Sequence, residues 1–318
     1  MTDHVKGAIH DPALTTHHSP LTSPRQTQSY LRDLFRCNRL HPKNKLGQNF
    51  LIDLNLVDLI VRSADLTRAD LVLEIGSGTG SLTAKLAEVV GWVLSVEVDP
   101  AFYVLASQTV RGFNNVRLLN VDALKNKNQI NPEVIANLEE LKEKHQPHRV
   151  KLVANLPYAV ATPVITNLLI AGVALERMVV TVQWEIAEKL IARPSTKDYG
   201  ALAVLVQSLA DVEILRKLPP SVFWPRPQVE SGIVRIVPSA EKRRQVADVQ
   251  RFRYFLRDLY SHRRKNLRGA LISVTGQQHE KGRVDSRLAK LGYTGTERAE
   301  TLSIGHHLEL CEAFREGN

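Results

Sequence analysis

Three glycines at alternate positions, Gly76, Gly78 and Gly80, cut off the apolar run Leu71–Ile75 and are followed by a helical pattern of Leu82, Leu86 and Val89. Such a pattern reads as strand, glycine turn and helix. Glycines at this turn let the backbone and the helix N-terminus approach a nucleotide-like ligand closely. A dinucleotide fingerprint places its third glycine one position later, where this chain has Ser81, so the spacing is G-x-G-x-G. Glu97 ends the next strand-like run 19 residues after Gly78, where an acidic side chain can accept both ribose hydroxyls. Asp122 ends a third, at Asn120-Val121-Asp122-Ala123. Three loops at strand C-termini therefore converge on one crevice, where open α/β sheets bind ligands.

The surrounding pattern supports that architecture. Leu56 to Leu66 has helical spacing, Trp92–Val98 reads as a strand, Phe102–Val110 as a helix, and Val116–Leu119, Lys151–Ala154 and Met178–Val182 as further strands. Segments 201–216 and 229–237 are expected to close the sheet with antiparallel strands. The polar stretch Lys125–His148 reads as an inserted loop or helix. Beyond Pro238 Arg/Leu-rich helical patterns take over. The fold class is α/β: a Rossmann-like doubly wound sheet with a small C-terminal helical domain. The expected division is a disordered N-terminal tail over 1–39, whose scattered Pro, Ser, Thr and His cannot offset their ordering entropy, then a ligand-binding domain over 40–240 and a helical domain over 241–318.

Length and composition narrow the class further. At 318 residues with 43% apolar side chains the chain is neither a stapled miniature nor wholly disordered. Its two cysteines, Cys37 and Cys311, form no disulfide framework and lack metal-ligand spacing, so a reducing compartment and no metal are expected. There is no apolar run of about 18 residues and no signal-peptide stretch, which points to the cytoplasm and away from membranes. The formal charge is +9, carried by the flanks: residues 1–50 hold 7 basic and 3 acidic side chains, residues 241–318 hold 16 and 10. Basic ends around a nearly neutral middle suit a polyanionic partner, nucleic acid being the usual one.

Asn155-Leu156-Pro157-Tyr158 follows the strand Lys151–Ala154. Together with Gly76–Gly80 it resembles the S-adenosylmethionine-dependent methyltransferases that modify exocyclic amines. An adenine amine is a poor nucleophile because its lone pair is delocalised into the ring. An amide oxygen from Asn155 and the carbonyl of Leu156 can accept its two hydrogens and draw the nitrogen toward tetrahedral geometry. Pro157 fixes the backbone and holds Leu156 extended, and Tyr158 can stack on a base taken out of its helix.

More segments make the resemblance specific: Lys45-Leu46-Gly47-Gln48-Asn49-Phe50-Leu51, Gln183 to Leu190, Tyr199-Gly200-Ala201-Leu202, Val222-Phe223-Trp224-Pro225-Arg226-Pro227-Gln228-Val229-Glu230-Ser231 and Ser261-His262-Arg263-Arg264-Lys265-Asn266-Leu267. Over about residues 40–315 the set looks like the KsgA-type small-subunit ribosomal RNA adenine dimethyltransferases. The resemblance implies that Gln48 and Asn49, with Leu51, hold the methionine part of S-adenosylmethionine, that Gly76 and Gly78 line its approach, that Glu97 binds its ribose, and that Asp122, beside Ala123, binds its adenine amine. Asn155, which would also bind the cofactor, would hold the target adenine together with Leu156, Pro157 and Tyr158, with Phe223 as a second aromatic beside the base. Family members dimethylate two adjacent adenosines in the hairpin loop near the 3′ end of 16S rRNA, acting on the small subunit or its precursor.

Arg263, Arg264 and Lys265 are the expected RNA contacts, in a segment from Arg251 to Arg268 with seven basic residues and one acid, Asp258. A monomer is expected, because the basic surfaces must stay open to RNA. Ser77 and Thr79 stand where family members often have Pro and a bulky apolar residue, and Ala159-Val160-Ala161 where Asn-Ile-Ser is common. The alternatives are a large-subunit rRNA adenine methyltransferase of the macrolide-resistance type and a non-catalytic RNA-binding assembly factor on the same fold. An NAD-dependent dehydrogenase fails at Ser81.

Overall fold

The computed structural model describes residues 27–43, 46–274 and 281–314. Helix α1 (Gln28–Cys37), the short strand β1 (Phe50–Leu51) and α2 (Leu54–Ser63) lead into the alternating series β2 (Asp70–Ile75), α3 (Ser81–Val89), β3 (Trp92–Val96), α4 (Pro100–Val110) and β4 (Val116–Leu119). A hairpin of β5 (Leu124–Asn126) and β6 (Gln129–Ile130) precedes α5 (Pro132–His145), β7 (Arg149–Asn155), α6 (Tyr158–Ile170), β8 (Leu175–Gln183), α7 (Trp184–Ile191) and α8 (Ala201–Gln207). Strands β9 (Ala210–Leu218), β10 (Phe223–Trp224) and β11 (Ser231–Pro238) follow. Helices α9 (Ala240–Gln245), α10 (Val249–Ser261), α11 (Leu267–Val274), α12 (Lys281–Lys290) and α13 (Ile304–Ala313) come last.

The main sheet has the order β4-β3-β2-β7-β8-β11-β9. Its first five strands are parallel, and β11 joins β8 and β9 antiparallel. Leu71, Leu73 and Ile75 of β2 face one apolar cluster, with Leu138 and Leu141 of α5 and Val164 and Leu168 of α6. Val72, on the alternate face, meets Ile60 of α2 and Leu86 of α3. Burial on both faces is why these strands read as continuous apolar runs. The doubly wound expectation holds.

Three local expectations change. Residues 201–207 form helix α8, and only from Ala210 does the chain pair as a strand. Ala203 to Val206 are all buried, and a short, wholly apolar run has no periodicity to separate helix from strand. The stretch 125–148 is a hairpin followed by the regular crossover helix to β7. Asn131 caps that helix, Pro132 starts it, and Val134, Leu138 and Leu141 dock on the sheet beneath a polar outer face. The tail expected to reach residue 39 is ordered from its later part. Thr27 accepts the Tyr30 amide at the start of α1, whose Leu31 and Phe35 are buried one turn apart; residues 1–26 lie outside the described residues.

The C-terminal helices share the sheet's own core. Val249, Phe252 and Leu256 of α10 and Leu310 of α13 belong to the same apolar cluster as Ala203 and Val204 of α8 and the strands beneath. Tyr199 donates to the Leu302 carbonyl at 3.0 Å, and Arg253 to the Asn167 amide oxygen at 2.6 Å. A continuous core fixes the basic face of the helices relative to the sheet.

On the opposite side α1 makes a small cluster of its own. The Phe35 ring lies 5.2 Å from Phe50, 5.3 Å from Phe102 and 5.1 Å from Trp224, centroid to centroid. Phe35→Ala is therefore expected to cost about 3–5 kcal/mol of stability, the usual range for emptying a buried aromatic site. Urea denaturation measures it, and a loss below about 1 kcal/mol would mean that α1 contributes little to the folded state.

Candidate active site

Gly76, Gly78 and Gly80 all have left-handed backbone, with φ of 89°, 54° and 80°. All three also carry a steric demand, Gly80 against Thr109 and the Ala106 backbone of α4. A Cβ on Gly76 would lie 3.1 Å from the Pro157 ring, and one on Gly78 would lie 2.9 Å from the Phe50 ring. The β2 turn is thus interlocked with the loop after β7 and with the segment that enters β1. Between them lies a cleft whose walls include Gln48, Asn49, Leu51, Gly76, Gly78, Glu97 and Asn155 to Tyr158.

Glu97 is 6% exposed at the end of β3. Its Oε2 accepts the Gly78 amide at 2.9 Å and its Oε1 the Asp99 amide at 3.0 Å. Burial raises its pKa, and these amide donors oppose the rise. Each oxygen keeps a further lone pair, so the carboxylate is oriented by the turn while it can still accept two hydroxyls. Gln48 is held by both ends of its amide: Nε2 donates to Asp99 at 3.2 Å and Oε1 accepts the Lys43 amide at 2.7 Å. Lys43 in turn pairs with Asp99 at 2.9 Å.

Asn155 closes β7. Its Nδ2 donates to the Asn49 carbonyl at 2.9 Å, which fixes the amide and leaves Oδ1 without a donor among the described residues. Leu156 is buried, with its carbonyl in the loop ahead of α6, and Pro157 is that helix's N-cap at φ −58° and ψ 130°. Tyr158 is half-buried; burial raises its pKa, against a hydrogen bond of 2.5 Å to the Ser231 hydroxyl.

Several expected residues stand elsewhere. Asp122 is exposed, its Oδ1 accepts the Leu124 amide at 2.9 Å, and neither it nor the buried Ala123 lines the cleft. Phe223 is only 2% exposed and packs in the α2–α3 cluster, cross-strand from Leu51. It supports the cleft wall from behind and offers no free face to a base. Of the three basic residues, Arg263 is bound to Glu300 at 2.5 Å and to the Lys197 carbonyl at 2.9 Å, and Lys265 to Ser273 at 2.8 Å. Arg264 is exposed and has no partner among the described residues. Among the described residues no group of His, Cys, Asp and Glu has the arrangement to hold a metal.

Glu74 is the member that sequence reading missed. It is fully buried beneath the glycine turn and borders the cleft. Its Oε2 accepts from Thr83 and Ser95, each at 2.6 Å, while Oε1 has no partner. An acid inside an apolar strand run was the available signal. Burial pushes its pKa up to about 7, against the two hydroxyl donors and with the Glu97 charge adding to the rise.

A parallel sheet with a glycine turn, a buried carboxylate at the next strand end and an Asn-Leu-Pro-Tyr loop on one cleft defines a class I methyltransferase. Residues 39–310 match the ribosomal RNA adenine dimethylase family, and the chain belongs to it. It is 37% identical over 272 residues to a ribosomal RNA small subunit methyltransferase A of Halothermothrix orenii, covering 86% of this chain and 88% of that one. Identity to the protein so named in Levilactobacillus brevis is 35% over 302 residues, covering 95% and 98%. In fold it is similar to a dimethyladenosine transferase from Plasmodium falciparum (TM-score 0.67, 24% identity, 82% of this chain and 95% of that one). It is also similar to the 23S rRNA methyltransferase ErmE (TM-score 0.57, 25% identity, 83% and 99%).

Glu74 yields a pH test. The folded chain keeps this proton between about pH 4.5 and 7, whereas the unfolded chain releases it, so this group's contribution to stability falls as pH rises through that window and is level above it. In Glu74→Gln the contribution is absent. The stability difference between wild type and variant should therefore drift against the wild type by the order of 3 kcal/mol across the window. Parallel stability curves for the two proteins would show an ionised Glu74 throughout.

Proposed function

We propose that this chain transfers methyl groups from S-adenosylmethionine to the exocyclic amines of two adjacent adenosines in the 3′-terminal hairpin loop of 16S rRNA, in the cytoplasm, on the small subunit or its precursor. The observation that carries the reading is the joining of the Asn155–Tyr158 loop to the ligand cleft, through Gly76 against Pro157 and Asn155 on Asn49. Small-subunit relatives at 35–37% identity favour this branch over the large-subunit alternative. An intact set of amine acceptors argues against a purely structural factor. Among the described residues no helix is long and apolar enough to cross a membrane.

The cleft fits that cofactor. Its wall has no side chains at Gly76 and Gly78, the Glu97 carboxylate is pre-oriented to take a hydroxyl pair, and Gln48 and Asn49 place polar groups at the opposite rim. When bound, the cofactor supplies a methyl group on a positively charged sulfur. The protein's own part is at the amine. Asn155 Oδ1 and the Leu156 carbonyl accept its two hydrogens, rotate the lone pair out of the ring's π-system and hold it toward the cleft. Acceptors aimed where positive charge develops act on the rate rather than on affinity. Tyr158 supplies the face on which the base stacks.

Asn155→Ala is expected to lower methyl transfer to immature small subunits by orders of magnitude while leaving RNA affinity nearly intact, since phosphate contacts dominate binding. Near-normal turnover in a labelled-cofactor assay with mapping of the modified nucleotides would sink the assignment.

RNA grip is assigned to Arg264 rather than to the whole trio, because its neighbours are already bound within the chain. Arg264→Ala should reduce the slope of log affinity against log salt by about 0.7–0.9. Arg263→Ala should act mainly on stability by releasing Glu300. An unchanged slope in the Arg264 variant would move the RNA contact to another face.

A further inference from the structure

Ser231 opens β11, between Gln183 of β8 and Leu218 of β9, and is fully buried. Its hydroxyl bonds to the Tyr158 hydroxyl and, among the described residues, to nothing else; the same is true of Tyr158. The strand beneath it has little freedom to shift. A Cβ added to the next residue, Gly232, would lie 3.1 Å from Ala187 and 3.3 Å from the Trp184 ring of α7. At the other end of the tyrosine the chain is equally confined, for a Cβ on Gly47 would lie 3.1 Å from the Tyr158 nitrogen. The ring is thus held at its backbone and at its hydroxyl.

We propose that Ser231 is a positioning residue of the methyl-transfer site: its buried hydroxyl anchors the far end of the Tyr158 ring and fixes the direction of its long axis, so that a base stacked there presents its amine to Asn155 Oδ1 and the Leu156 carbonyl. The proposal rests on the reading of Tyr158 as the stacking face. It makes the two halves of the base site alike. The Asn155 amide is fixed by a carbonyl 106 residues away in sequence, and the Tyr158 ring by a hydroxyl 73 residues away. A ring free to swing about its Cα–Cβ bond would still stack on a base, but it would sample poses in which the amine misses its acceptors. Fixing the ring's position beforehand removes that loss at the moment of transfer.

A double-mutant cycle with Ser231→Ala and Tyr158→Phe tests this on the full chain, with immature small subunits and labelled cofactor. Tyr158→Phe keeps the ring and removes only the hydroxyl. Each single variant should lower kcat by roughly three- to tenfold with KM for the subunit little changed, the span expected for one neutral hydrogen bond. The double variant should be no worse than either single, and Ser231→Thr should recover most of the rate. With a hairpin RNA carrying 2-aminopurine at a target adenosine, both single variants should show altered fluorescence quenching while cofactor affinity stays at the wild-type value.

Multiplying effects in the double variant would overturn the proposal, as would full kcat in Tyr158→Phe. So would a Ser231→Ala protein whose activity and cofactor binding fall together with its thermal midpoint, which would make Ser231 a folding residue only. A wild-type protein that binds the RNA yet transfers no methyl group to either adenosine would instead refute the underlying functional reading.

Discussion

Gly76 and Pro157 sit on turns at the ends of neighbouring parallel strands, and an added Cβ on the glycine would be 3.1 Å from the proline ring. Nearly everything at the site depends on that approach. The β2 turn carries the amide that orients Glu97, and the β7 loop carries Asn155 Oδ1 and the Leu156 carbonyl, the two acceptors proposed for the target amine. Were the turns farther apart, Glu97 and the Asn155–Tyr158 loop would line separate crevices. Left-handed backbone at Gly76 and a rigid ring at Pro157 meet the requirement from opposite sides, one by having no side chain and the other by having a fixed one.

The segment before β1 completes the enclosure. Gln48 is tied to Asp99, Asn49 to Asn155, and Phe50 stacks on Phe102 at 4.9 Å while it meets Phe35 in a T-shaped contact. Helix α1 therefore reaches the site through two aromatic contacts, by supporting the ring that lies against Gly78. The polar contacts at the rim and the apolar cluster behind it act together, because the amides of Gln48 and Asn49 are only as well placed as the backbone that the cluster holds.

A buried Glu74 under the turn looks out of place in an apolar strand, yet its Oε2 ties β2 to Thr83 of α3 and to Ser95 of β3. Hydrogen bonds from two hydroxyls do not fully offset the loss of water, and its raised pKa follows. The three elements so joined form the floor beneath the glycine turn.

Much was legible in one dimension. Parallel strands buried on both faces must be apolar, a turn with left-handed backbone favours glycine, and an amine acceptor followed by a proline and an aromatic has a recognisable spacing; each is a local property of consecutive residues. The doubly wound order followed from these, as did the placing of Glu97 and Asn155 on one cleft. The sequence could not decide which side chains of a recognisable segment remain free once the chain is folded. Phe223 and Asp122 carry suitable chemistry, but one is buried behind the cleft wall and the other turns to cap Leu124. Arg263 and Lys265 look the same as Arg264 in a basic run, and only Glu300, the Lys197 carbonyl and Ser273, brought near by folding, set them apart. The pairing of Ser231 with Tyr158 is of the same kind. Residue type and spacing fix what a side chain can do, whereas its free lone pairs, exposed faces and orientation depend on partners far away in sequence, which only the tertiary structure supplies.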